Sequence, residues 1–168
     1  HAGEITPLVK MVRPHVAIIT TIAPVHLEFF DGVEGIADAK AEIFLGVEPG
    51  GSVVLNRDNP QFERLKKAAQ AAKIANIVSF GEDKKAEVRL LKLAMQPESS
   101  TIDADVLGER VTYKLGVPGK HLVLNSLAVL AAVKLAGADL ALAALSLGDL
   151  KAASGRGTRM SLEIGGGD

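Results

Sequence analysis

The sequence predicts a three-layer α/β fold with a small antiparallel annex, and three observations carry that prediction. Short β-branched runs alternate with helical stretches across residues 14–80, the order that parallel pairing through helical crossovers requires. Residues 86–116 then hold three strand-like runs with only turns between them, the pattern of an antiparallel meander. Of the 168 residues, 48% are hydrophobic and 23% charged, and a chain of that length and composition buries a core without disulfides or metal.

Each element has a local reason. Residues 3–12 read as a helix with Pro7 in its first turn, where a missing N–H costs little. Val16 to Thr20 is an apolar, β-branched run after Pro14, a buried strand. From Glu34 to Val47 apolar residues recur at helical spacing until Pro49-Gly50-Gly51 stops them. Ser52 to Leu55 is the next strand. Asn59 then caps a helix with Pro60 at its first position, running to about Lys73. Ile77 to Phe80 is a third strand, closed by Gly81.

The annex comprises Glu87 to Met95, Thr101 to Val106 and Arg110 to Leu115, at the edge of the sheet. A helix follows from His121 until Gly137 stops it, and Asp139 caps another to about Leu150. The turn Gly155-Arg156-Gly157 leads to a last strand near Met160 to Ile164. The organisation expected is a parallel part at 14–80, a meander at 86–116, and a helical pair with a last strand at 121–164.

Composition also excludes functions. Nineteen basic and 20 acidic residues nearly cancel, which argues against nucleic acid or an anionic membrane as partner. With no cysteine there are no disulfides and no thiolate metal sites, as suits a reducing compartment such as the cytoplasm. The longest apolar stretch, Leu127 to Val133, is far short of the ~20 residues that span a bilayer. The chain has no initiator methionine and no secretory signal, and it reads as the interior of a longer polypeptide.

Few residues stand out as chemical. Lys40 lies four residues after Ile36 and four before Phe44, so a continuous helix sends it out from the buried face. It either snorkels to the rim of that face or is held in a site where burial makes the amine reactive. His26 follows the first strand, and ligands of parallel α/β sheets collect at the carboxyl ends of strands. With Glu28 it suits metal ligation or acid–base work; otherwise it caps a backbone group.

Asn125, beside Ser126 in an otherwise apolar helix, must find partners. It either ties down a loop or hydrogen-bonds a planar ligand such as a nucleotide base, with His121 one turn earlier on the same face. Arg156, between glycines, suits an anion or a solvated turn. The segment Gly116 to His121 is not a phosphate loop, and no GxxxxGK[ST] occurs anywhere in the 168 residues.

Taken in order, these residues fall within a series of motifs. They are His1-Ala2-Gly3-Glu4-Ile5, Ala23-Pro24-Val25-His26-Leu27-Glu28, Ala39-Lys40-Ala41-Glu42-Ile43-Phe44, Pro118-Gly119-Lys120-His121 with Asn125, and Gly155-Arg156. The series resembles the central, ATP-binding domain of the Mur ligases. The resemblance covers essentially all of 1–168 and implies a P-loop NTPase-like fold, here lacking the P-loop and trimmed at both ends. It implies an ATP-dependent enzyme of peptidoglycan precursor synthesis that joins a carboxylate to an amine through an acyl phosphate. Gly3-Glu4-Ile5 and Lys40-Ala41-Glu42-Ile43-Phe44 favour the branch whose substrates are UDP-N-acetylmuramoyl-tripeptide and D-alanyl-D-alanine.

By position, the resemblance makes His26 a Mg2+ ligand and Lys40 a lysine carbamylated by carbon dioxide, an anionic ligand for Mg2+. It makes Asn125 an adenine contact and Arg156 a phosphate contact, with His121 in the same nucleotide motif. Thr20-Thr21 and Leu122 stand where the family commonly has asparagine. The phosphate loop and a metal-binding glutamate are expected upstream of His1, and the flanking domains beyond both ends. Two alternatives stay open: another ligase on this scaffold, such as a different Mur enzyme or folylpolyglutamate synthetase, or a non-catalytic domain that binds a nucleotide or a partner.

Overall fold

A computed structural model describes residues 3–24 and 32–151. Helix α1 (Ile5–Val12) leads into β1 (Val16–Ile19), and α2 (Gly32–Ala41) runs into a 3-10 turn at Glu42–Gly46 before β2 (Ser52–Asn56). Then come α3 (Phe62–Ala71), β3 (Asn76–Gly81), β4 (Val88–Met95), β5 (Ser100–Val106), β6 (Glu109–Leu115), α4 (Lys120–Leu135) and α5 (Leu140–Ser146).

The six strands form one sheet in chain order. β1, β2 and β3 are parallel, with Val16 opposite Ser52 and Ser52 opposite Asn76, because a helix returns the chain between each pair. β3 and β4 are also parallel, yet only Phe80–Val88 and Gly81–Arg89 face each other. No crossover is needed there, since β4 begins level with the end of β3; the chain sidesteps and keeps its direction. The rest of β4, with β5 paired antiparallel to it and β6 paired antiparallel to β5, therefore projects past the carboxyl edge of the parallel strands. A register shift between Leu90 and Lys92 marks a bulge in β4, a device that increases local twist.

Both faces of the sheet are covered, and strand periodicity decides which residue goes where. Val54, Phe80, Ile102 and Val106 lie with Leu127 and Leu130 of α4 and Leu140 of α5 in one core. Val53 and Leu55, one step out of phase with Val54, lie with Ile36 and Phe44 and with Phe62 and Leu65 of α3 in the other. All three β2 residues are fully buried, worth about 1.5–3 kcal/mol each, which makes β2 the strand on which both layers depend. Helix α4 packs across β1 to β5 and is held from β6 by a buried contact between Tyr113 Oη and Ser126 Oγ at 2.6 Å. At 16 residues it is the longest described helix, and none is long and apolar enough to cross a membrane.

Local boundaries differ from the sequence expectation where side chains outbid periodicity. The helix expected over Glu34 to Val47 is α-helical only to Ala41 and continues as 3-10 helix to Gly46, with Glu42 turned to serve α1. Its carboxylate accepts the backbone N–H groups of Gly3 and of Thr6 (3.0 Å) and the Thr6 hydroxyl (2.8 Å). Asn59 and Pro60 precede α3 rather than open it: Asn59 Oδ1 accepts the N–H of Gln61 at 2.9 Å, and the helix begins at Phe62. Asp139 caps α5 through the N–H of Leu142, but α5 ends at Ser146. The last strand expected near Met160 to Ile164 lies outside the described residues.

Candidate functional site

The carboxyl edge of β1, β2 and β3 gathers four polar segments. Thr20 to Ile22 leave β1, Asn56 to Asn59 leave β2, and Glu82 and Asp83 leave β3. The first turn of α4 joins them, since Lys120 Nζ lies 2.7 Å from Glu82 Oε2 and that contact holds the ammonium charged, raising its pKa. Gly119 supplies the bend ahead of α4 with φ of +119°; a Cβ there would sit 3.1 Å from the His121 ring, which folds back over it.

The loop Asn56–Asn59 is the hub. Asp58 accepts the N–H groups of Glu82 (2.7 Å) and Asp83 (2.9 Å). It approaches so closely that a Cβ on Gly81 would meet its carboxylate at 2.5 Å, and Gly81 has a φ of +147°. Arg57 reaches Asp83 at 3.2 Å while its guanidinium covers the Phe62 ring at 4.9 Å. Asp83 is held below the usual carboxylate range, first by the backbone N–H of Lys85 and then by Arg57. Sequence reading assigned this loop only the start of a helix; its cross-strand bonds depend on which strands become neighbours, which a local pattern does not carry.

The sequence-selected residues divide between the two layers. Asn125 is half-buried in the second turn of α4, its amide bonded to none of the described residues, and His121 is exposed one turn before it. Ser126, buried and bonded to Val123 O and Tyr113, fixes the rotation of the helix and so the face from which Asn125 leaves. Lys40 is half-buried near the end of α2, in the opposite layer, and makes no hydrogen bond or ion pair with the described residues. The winding tightens from α to 3-10 after Ala41, yet Ile36, Ala37 and Phe44 stay in one core, with Lys40 half-buried between them in sequence. No described contact joins Lys40 to His121 or Asn125. His26 and Arg156 lie outside the described residues.

Among the described residues no three His, Asp or Glu side chains converge as a metal site. A Mg2+ ion would need oxygen or imidazole donors, and of the described candidates Lys40 is half-buried with its amine in no hydrogen bond or ion pair with the described residues. A separate cleft of about 910 Å3, lined by Gln96, Ser99, Lys114 and Lys151 among others, contains none of the candidate residues.

Comparison with known proteins gives these features a family. Residues 1–133 match the model of the Mur ligase middle domain. A UDP-N-acetylmuramoyl-tripeptide–D-alanyl-D-alanine ligase of Rickettsia prowazekii is 29% identical over 163 residues, 97% of this chain and 36% of that protein. Its Escherichia coli counterpart is 29% identical over 93% of this chain and 34% of its own length. The crystal structure of MurF from Acinetobacter baumannii superimposes with a TM-score of 0.88 at 28% identity, covering 98% of this chain and 35% of that one. MurF of Thermotoga maritima in complex with ADP gives 0.78 at 25% identity, over 93% of this chain and 35% of that one. The chain thus spans about a third of the length of the curated relatives it matches. It belongs to the Mur ligase middle-domain family.

Proposed function

We propose that this chain is the nucleotide-binding part of a cytoplasmic, ATP-dependent ligase. In this reading the ligase adds D-alanyl-D-alanine to a UDP-N-acetylmuramoyl-tripeptide in peptidoglycan precursor synthesis. The observation that carries the reading is the match to D-alanyl-D-alanine-adding ligases, which runs through 97% of the chain. In the proposed reaction a substrate carboxylate oxygen attacks the γ-phosphorus of ATP and ADP leaves. The incoming amine then attacks the acyl phosphate carbon, phosphate departs, and the nitrogen loses a proton.

The residues take roles suited to their chemistry. Asn125 offers an amide donor and acceptor to the adenine edge, with His121 beside it and Arg156 toward the phosphates. His26 and a carbamylated Lys40 are the ligands offered to Mg2+, which when bound offsets the negative charge of the phosphates. Carbamylation needs the neutral amine, so the Lys40 ammonium first gives up a proton. Its nitrogen then bonds the carbon of carbon dioxide with loss of a second proton, and a cation becomes an anionic oxygen ligand.

The test is phosphate release by the full-length protein supplied with ATP, Mg2+, UDP-N-acetylmuramoyl-tripeptide and D-alanyl-D-alanine. Release that requires both the tripeptide nucleotide and the dipeptide is expected. Release with UDP-N-acetylmuramate and L-alanine, or with UDP-N-acetylmuramoylalanine and D-glutamate, would move the chain to another ligase of the scaffold, and no release with any of these pairs would remove the proposed reading.

A further inference from the structure

Asn56 and Asn59 make the same unusual double use of a side-chain amide. Each turns its Oδ1 onto its own loop, accepting the N–H two residues ahead, Asp58 for Asn56 and Gln61 for Asn59, both at 2.9 Å. Each turns its Nδ2 outward to the chain leaving β1. Asn56 donates to Thr20 O at 2.9 Å, and Asn59 donates to Ile22 O at 2.9 Å and to Thr21 Oγ1 at 3.4 Å. Only a carboxamide presents an acceptor and a donor on two prongs of one plane, so aspartate or serine in either place keeps the turn and loses the bridge.

The bridge matters because the ladder has ended. β1 pairs with β2 only as far as Ile19 and Leu55, so Thr20 to Ile22 continue with no strand bond to β2. The two amides take over from the ladder, helped by the buried side chain of Ile22. The chain held in this way is the one that continues to His26. Between the two asparagines Asp58 fixes the exit of β3 in the same manner, and Glu82 passes that restraint to Lys120 at the head of α4.

We infer that Asn56 and Asn59 are positioning residues: they set the direction in which the β1 exit leaves the sheet and so make the Mg2+-dependent part of nucleotide binding possible. The inference rests on the functional reading above. The experiment uses the full-length protein and compares Asn56→Ser and Asn59→Ser with the parent and with Asp139→Ala, a cap lost at α5 as a stability control. Calorimetry measures ADP affinity with Mg2+ and with EDTA, and circular dichroism measures melting.

Each serine variant is expected to bind ADP with Mg2+ roughly three- to tenfold more weakly, the worth of about one hydrogen bond, while metal-free ADP binding stays at the parent value. The control is expected to melt earlier and bind as the parent does. Should Asn59→Ser not fold, Asn56→Ser carries the same comparison. Parent-like affinity in the folded serine variants would overturn the inference, as would an equal loss with and without Mg2+. A parent whose ADP affinity is indifferent to Mg2+ would overturn the functional reading first and this inference with it.

Discussion

Lys40 is half-buried and makes no ion pair with the described residues, so its amine is open to snorkelling toward solvent or to modification. Carbamylation is the second route. In the full-length protein Lys40→Ala is expected to cut ligation on the order of a hundredfold, with part of the rate restored by concentrated acetate. Lys40→Arg, which keeps the charge and cannot form a carbamate, is expected to be as inactive as alanine; near-normal turnover by the arginine variant would return Lys40 to a snorkelling role. Tyr113 makes a different prediction. Burial pushes its phenol up to about 12, against the contact with Ser126 that lowers it. The unfolded phenol ionises near ~10, so its contribution is complete below that pH and is lost as pH rises toward ~12, by about 2–3 kcal/mol. Tyr113→Phe, followed by urea denaturation from neutral to alkaline pH, is expected to cost ~1 kcal/mol at neutrality and to flatten the alkaline fall. Lys40 and Asn125 were legible in the sequence because each interrupts an apolar pattern. Asn56 and Asn59 were not, since a polar loop after a strand is ordinary until the neighbouring strand is known.

Helix α1 shows an element completed from a distance. Its own N-cap, Glu4, makes no side-chain cap, and Glu42 supplies the missing acceptors from the end of α2. Those bonds, led by the Gly3 N–H, hold the Glu42 carboxyl below its usual value. Its contribution is therefore present above the ordinary carboxyl pKa and is lost as pH falls through the lowered one. Glu42→Ala is expected to cost about 1 kcal/mol and to loosen α1 first, read as faster amide exchange across Ile5–Val12. Unchanged exchange there would show that packing alone holds the helix. The same contact falls where the winding within Glu34 to Val47 changes from α to 3-10. Periodicity saw the apolar residues on both sides of Ala41 but not the demand that Glu42 satisfies. Strand assignments fared better, because β-branched runs between turn residues need no distant partner to be recognised.

Across the whole molecule the candidate groups are carried by opposite layers, Lys40 by α2 and Asn125 by α4, with the sheet between them. The described residues at the carboxyl edge offer no lysine-bearing glycine loop for the β- and γ-phosphates. The 168-residue polypeptide on its own is accordingly expected not to turn over ATP, and Mg2+-dependent phosphate release from it would contradict that. Adenosine binding is expected to be weak and to be abolished by Asn125→Ala.

The sidestep from β3 to β4 bears on how the chain assembles. Only two residue pairs join the parallel strands to the meander, whereas β4, β5 and β6 are bonded along most of their length through short turns. Contacts that are local in sequence form before those that must wait for a helix to close a long loop. The meander is thus the natural nucleus, β3 its first addition, and β2 and β1 the later ones. Helix α4, packed across β1 to β5, is the strap that joins the two halves in the native state. Assembly then runs through the strands opposite to the direction in which the chain was written.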